Sequence, residues 1–130
     1  MKLHHIEIAV KSIKVSISHY VGSLGWKIKS KLIYDPIQHV NIVFMGDENN
    51  VLYELIEPID NTSPIYNLLK KRISLYHFCY EVNDIITKIE ELTKNDFLLI
   101  TGPVEAVAFN GKRIAFLINH DNLTIELVEK

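Results

Sequence analysis

One pattern is written twice in this chain, and the spacing of its copies restricts what the chain can fold into. The first copy opens with Leu3-His4-His5-Ile6-Glu7-Ile8-Ala9-Val10, and the second with Leu75-Tyr76-His77-Phe78-Cys79-Tyr80-Glu81-Val82. Each is a short apolar run with a histidine near its start. Each is followed at one shared distance by a Glu-Leu pair inside another apolar run: 54 − 5 = 49 for Glu54, and 126 − 77 = 49 for Glu126. The copies are offset by 77 − 5 = 72 residues. At that offset Val10 falls on Val82, Ile13 on Ile85, Ile17 on Ile89, Phe44 on Phe116, Leu55 on Leu127 and Glu57 on Glu129. A fixed period marks a repeated structural module. Two copies predict a pseudo-twofold domain rather than a solenoid.

Composition excludes several classes. A chain of 130 residues, 48% hydrophobic and 23% charged, makes one domain large enough for a real core. We therefore read residues 1–130 as a single domain: repeat 1 over about 1–58, a linker helix over about 59–74 and repeat 2 over about 75–130. A net charge of −2 offers no general attraction to nucleic acid or to a membrane surface. Cys79 is the one cysteine, so no internal disulfide forms, and a reducing, cytoplasmic compartment is expected. No basic segment followed by a long apolar run opens the chain, and no apolar stretch approaches the ~20 residues of a membrane span.

The local pattern in each half reads β-α-β-β-β. In the first half, 3–10 is a strand. A helix follows over 12–24, with Ile13, Ile17, Tyr20, Val21 and Leu24 at the spacing of one face, stopped by Gly25. Strands are expected over 26–34, 40–45 and 51–57, with Pro58 as terminator. Ser63-Pro64 starts the linker helix, with Ile65, Leu68 and Leu69 inward. In the second half a strand over 75–82 leads to a helix capped by Asp84, with Ile85, Ile86, Ile89 and Leu92 buried. Strands over 97–100, 113–118 and 123–129 follow, the first broken at Thr101-Gly102-Pro103. The fold class expected is α+β: two βαβββ repeats forming a cupped, eight-stranded mixed sheet.

Strand alternation decides which side chains share a face. His5 lies with Glu7 and Ala9, whereas His4 points the other way. Glu54 lies with Leu52 and Ile56, His77 with Cys79, and Glu126 with Thr124 and Val128. If the two curved halves face one another, His5, Glu54, His77 and Glu126 converge. Two imidazoles and two carboxylates leave open positions around one divalent ion, and N/O ligation suits Ni, Co, Zn or Mn. Taken singly, each residue is more often structural. A glutamate in an apolar strand costs free energy unless paired or metal-bound, and having that arrangement twice at one distance is hard to attribute to chance.

These residues resemble the vicinal oxygen chelate superfamily, which includes glyoxalase I, methylmalonyl-CoA epimerase and the bleomycin and fosfomycin resistance proteins. The resemblance covers essentially the whole chain. His5–Val10, Tyr53–Pro58, His77–Ile85 and Ile125–Glu129 look like the four ligand-bearing segments. The His, Glu, His, Glu order is similar to bacterial glyoxalase I. The segments around Ser63-Pro64-Ile65 and Gly111-Lys112-Arg113-Ile114-Ala115-Phe116-Leu117 look more like the epimerases. The resemblance implies a metal-dependent lyase or isomerase that moves a proton next to a carbonyl, with Glu126 and Glu54 as catalytic carboxylates. The substrate implied is a carbonyl compound, thiol adduct or acyl-CoA. The alternative is a binding protein of the bleomycin-resistance type, for which a complete His/Glu quartet is not required. Three departures stand out. Glu7 sits where the family usually has a small or apolar residue. The strand over 40–45 lacks the additional acid of some epimerases. The loop over 104–110 is apolar rather than glycine-rich.

Other polar residues rank lower. His4, His19, His39 and His120 lack partner spacing, and Cys79 reads as a buried structural thiol. Lys112 and Arg113 read as a solvated pair, with contact to an anionic substrate tail as the functional alternative, and Gln38 is within reach of a cavity mouth. An open cup leaves strand edges that need cover, which predicts a homodimer, with the ligand quartet drawn from one chain or shared between two.

Overall fold

The computed structural model describes residues 1–130. The chain divides into two compact units, His5–Tyr76 and Met1–His4 with His77–Lys130. The linker segment therefore packs with the first repeat, and the first four residues pack with the second.

The first unit contains β1 (Lys2–Ala9) from His5 onward, α1 (Ile13–Leu24), β2 (Lys27–Ile28), β3 (Ile33–Asp35), β4 (Val40–Gly46), β5 (Leu52–Pro58) and α2 (Pro64–Lys70). Its strands run in the order β2-β4-β5-β1, with β3 also on β4. β1 and β5 are parallel and the other pairs antiparallel. The second unit contains β6 (Leu75–Val82) from His77 onward, α3 (Ile85–Thr93), β7 (Phe97–Glu105), β8 (Arg113–Asn119) and β9 (Thr124–Glu129), in the order β6-β9-β8-β7. Here β6 and β9 are the parallel pair. In both modules the crossover through a helix allows first and last strands to run the same way.

The cores repeat as the sequence does. Against α1 lie Val10, Ile13, Val43, Met45 and Leu55, with Ile8, Ile17 and Tyr20 partly buried. Against α3 lie Val82, Ile85, Ala115, Leu117 and Leu127, with Tyr80, Ile89 and Leu92 partly buried. Each residue of the first set falls on one of the second at the 72-residue offset. Fully burying one such large aliphatic side chain contributes about 1.5–3 kcal/mol relative to leaving it exposed.

The helix starts are also built twice. Ser12 and Asp84 cap their helices by accepting from the N–H groups of Val15 (3.3 Å) and Thr87 (3.0 Å). The Glu57 carboxylate accepts from the Ile13 N–H at 2.6 Å, and Glu129 from the Ile85 N–H at 3.2 Å. Each answers an N–H that has no partner inside its helix. Gly25, at φ +69°, ends α1.

Three expectations need correction. The strand over 26–34 is two short strands, β2 and β3. Between them the Ser30 hydroxyl, rather than a backbone carbonyl, accepts from the Phe44 N–H at 2.9 Å, which interrupts the ladder. The second unit's edge strand does not stop at Thr101-Gly102-Pro103. β7 continues to Glu105 through two register shifts against β8, so the segment is a bulge. Gly102 has φ +100°, and a Cβ there would lie 2.5 Å from the Ile114 carbonyl oxygen. The expected mixed α+β sheet is present, with eight strands along its main order and the short β3 added beside β4. Finally, Val21, Leu24 and Ile86 are exposed, because α1 and α3 bury only a narrow stripe.

Candidate metal centre

In the first unit, parallel pairing sets Glu7 opposite Glu54 and Ala9 opposite Ile56. His5, two residues before Glu7, shares that face. Its Nε2 lies 2.7 Å from the Glu54 carboxylate, and both side chains are almost wholly buried. Phe44 on β4 stands opposite Glu54 in the antiparallel register and sets its ring edge-to-face against the imidazole, with centroids 5.6 Å apart.

The second unit repeats this geometry. Cys79 stands opposite Glu126. His77 Nε2 lies 2.9 Å from the Glu126 carboxylate, again with both groups buried. Phe116 stands opposite Glu126 and meets the His77 ring edge-to-face at 5.2 Å. The spacing thus pairs His5 with Glu54 and His77 with Glu126, each pair inside its own unit. The two phenylalanines were legible as a repeat but not as site walls. The available signal was their position opposite the glutamates once β4–β5 and β8–β9 are read as hairpins.

The donor set fits a divalent cation. Within each unit an imidazole nitrogen and a carboxylate oxygen lie side by side, 2.7 Å apart in the first and 2.9 Å in the second, and both groups are buried. Oxygen and neutral nitrogen donors suit Ni, Co, Zn or Mn. Buried carboxylates are costly unless a positive charge or hydrogen bonds compensate them, and a cation offsets that cost.

Glu7 and Cys79 are where the halves differ. They occupy equivalent positions beside Glu54 and Glu126, and both are buried, at 3% and 0% exposure. Cys79 packs among Ala106, Ile114 and Val128, with Phe109 and Phe116 against the cluster.

The lesser candidates have structural roles. Arg113 binds Glu129 through two 2.8 Å contacts, and this pairing, with the Ile85 N–H, holds the Glu129 carboxyl below its usual range. Gln38 belongs to a turn built on buried Asp35, whose carboxylate accepts from the Ile37 N–H (2.8 Å), the Gln38 N–H (3.2 Å) and the Gln38 side chain (3.2 Å). His39 pairs with Asp60 at 3.1 Å, and His120 pairs with Asp96 on the surface. His4 sets its ring edge-to-face on Phe109 at 5.5 Å; both line a cavity of about 170 Å³ that also includes Lys112.

The chain is thus two βαβββ modules, each closed by a parallel strand pair and each carrying a buried His/Glu pair. Residues 4–116 match the model of the Glyoxalase/Bleomycin resistance protein/Dioxygenase superfamily, and the chain belongs to that family. It is 32% identical to the mitochondrial methylmalonyl-CoA epimerase of Dictyostelium discoideum, over 99% of this chain and 78% of that protein. It is 27% identical to an ethylmalonyl-CoA/methylmalonyl-CoA epimerase of Cereibacter sphaeroides, over 89% of this chain and 87% of that one. The crystal structure of a hypothetical protein from Bacillus halodurans superposes with a TM-score of 0.88 at 34% identity, covering 99% of this chain and 94% of that one.

Proposed function

We propose that this chain is a divalent-metal-dependent epimerase that moves the proton on the α-carbon of an acyl-CoA thioester of the methylmalonyl type. The observation behind this reading is the pair of matched half-sites, His5–Glu54 and His77–Glu126, in a chain whose named relatives include epimerases of such thioesters. In this reading the half-sites are two sides of one centre, and His5, Glu54, His77 and Glu126 hold one metal ion. When bound, the ion supplies a positive charge that favours the negative charge developing on a carbonyl oxygen as the α-proton leaves.

The remaining chemistry belongs to the protein. Phe44 and Phe116 fix the imidazole planes and exclude water from each pair. Glu126, a carboxylate at hydrogen-bonding distance from His77, takes or returns the α-proton on one face of the carbon. Epimerisation requires a second carboxylate for the other face, and symmetry nominates Glu54.

The protein also acts as a homodimer in this reading. β7 is an edge strand with Leu98, Leu99, Ile100 and Val104 exposed, and β2–β3 leave Ile28 and Tyr34 exposed. Apolar rows on open strand edges favour burial against a second copy.

The test is solvent exchange. Metal-loaded protein in D₂O should replace the α-proton of methylmalonyl-CoA with deuterium and interconvert its epimers, as followed by proton NMR. Loaded protein that leaves that proton in place contradicts the reading. Conversion of a methylglyoxal–thiol adduct instead would identify the sister isomerisation.

A further inference from the structure

Cations gather at the end of the first unit where β1 and β5 finish. β1 ends at Ala9, and β5, parallel to it, at Pro58. Beside those ends lies a cavity of about 460 Å³, lined by Lys11 just past β1 and by Lys70 and Arg72 at the end of α2. A second cavity, of about 680 Å³, shares Lys11, Leu69 and Arg72 with the first and adds Ser12, Val15 and Ser16 at the start of α1. Every residue lining either cavity belongs to the first unit, and His5, Glu7 and Glu54 line neither.

The side chains of Lys11, Lys70 and Arg72 are exposed and enter no ion pair. The one acid lining either cavity is Asp60, whose carboxylate already takes the Thr62 hydroxyl, the Thr62 N–H and the His39 ring. Three cations against one engaged carboxylate leave the wall of the first cavity positive. Attraction to helix C-terminal carbonyls accounts for Lys70, in the last turn of α2, but not for Lys11, which follows a strand. Arg72 is costly where it stands. It takes φ +60° just beyond α2, with its N–H on the Leu69 carbonyl and the Ile73 N–H on the Leu68 carbonyl, both at 2.9 Å. Glycine suits that left-handed position, and other side chains strain it. A guanidinium nonetheless occupies it and lines both cavities.

The rest of the first cavity is apolar and aromatic: Pro58, Ile59, Leu69 and Tyr66, with Ile59 and Tyr66 each 41% exposed. A cavity of this size takes a small organic molecule. Aromatic rings stack on nucleobases. Guanidinium and ammonium groups bind phosphate oxygens through charge-assisted hydrogen bonds. We infer that this end of the first unit binds a nucleoside diphosphate. Its phosphates lie on Lys11 and Arg72, which both cavities share, and its base lies against Tyr66 and Ile59. Lys70 adds to the attracting field. This is a second ligand site, and it stands independently of the epimerase reading.

The experiment is calorimetric titration of the full chain with ADP, and with inorganic phosphate for comparison. ADP should bind, more weakly as ionic strength rises. Arg72→Gly supplies the residue that fits the left-handed position, so thermal stability should hold or rise. ADP affinity should still fall about tenfold or more, the contribution of a charge-assisted contact. Lys11→Ala should weaken ADP to a similar extent. Tyr66→Ala should weaken ADP at least about fivefold and leave phosphate unchanged. His5→Ala should leave ADP affinity as it is, which separates this site from any metal held at His5–Glu54. Wild-type protein that shows no saturable binding of ADP at millimolar concentration overturns the inference. Wild-type affinity in both Arg72→Gly and Lys11→Ala overturns it as well. Phosphate bound as tightly as ADP reduces the site to a bare anion contact and overturns the nucleotide assignment. Binding of coenzyme A without binding of ADP overturns it in favour of the acyl-CoA substrate's own tail. Exchange of the α-proton, which tests the epimerase reading, is a separate measurement that none of these outcomes decides.

Discussion

The Glu57 carboxylate accepts a 2.6 Å hydrogen bond from the backbone N–H of Ile13, forty-four residues away, and so ties the last strand of the first module to the start of its helix. Glu129 does the same for Ile85 at 3.2 Å. Because Glu57 follows Glu54 by three residues, it lies on the opposite face of β5, and one strand both presents a ligand and anchors a helix. Glu57→Ala should destabilise the protein by about 1–2 kcal/mol through loss of a helix N-terminal acceptor. Thermal unfolding should show this, and Co²⁺ affinity should not change. A drop in metal affinity without loss of stability would contradict the division of roles.

Gly102 fixes the course of β7. Any side chain there meets the Ile114 carbonyl and adopts positive φ. Gly102→Ala should therefore cost about 1–3 kcal/mol, as forced residence in a sparsely populated backbone region does. Chemical denaturation measures it. An unchanged midpoint would show that the bulge relaxes freely.

Asp60 should titrate far below an ordinary aspartate. The Thr62 hydroxyl and then the Thr62 N–H, followed by the His39 ring, hold its pKa at about 2, below the ordinary aspartate value of 3.8. A depressed carboxyl contributes stability that is present above the unfolded pKa and lost as pH falls through the folded one. The Asp60 turn should thus stay intact to near pH 4 and loosen between that value and about 2. A carbon-detected NMR titration with a midpoint near 3.8 would contradict these contacts.

Self-association should depend on the β7 edge. Light scattering should report a dimer, and Ile100→Lys, which puts a charge into the exposed apolar row, should shift the mass toward the monomer. A monomeric wild type across micromolar concentrations would remove the assembly claim.

Much of this architecture was legible because the core and the polar residues obey the same 72-residue offset. Val10 and Val82, Ile13 and Ile85, and Leu55 and Leu127 occupy matching places in the two cores, and His5–Glu54 matches His77–Glu126 in contact as well as in spacing. What escaped depended on tertiary placement. Glu57 and Glu129 were visible as a repeated pair, but their partner is a backbone N–H that only the folded module brings near. The break between β2 and β3 follows from the Ser30 side chain displacing a ladder bond, and the continuation of β7 from the register tolerance of its neighbour β8. Neither leaves a periodic trace. Glu7 was visible as an anomaly, while its position opposite Glu54 needed the parallel register.

Metal stoichiometry tests the central claim most directly, because it asks whether two half-sites act as one. Apo protein titrated with Co²⁺ or Ni²⁺ should bind one ion per chain. His5→Ala and His77→Ala, one in each unit, should each weaken binding at least about tenfold. Two ions per chain, or a His77→Ala variant that binds as tightly as wild type, would show that the pairs are separate and that the proposed centre does not exist.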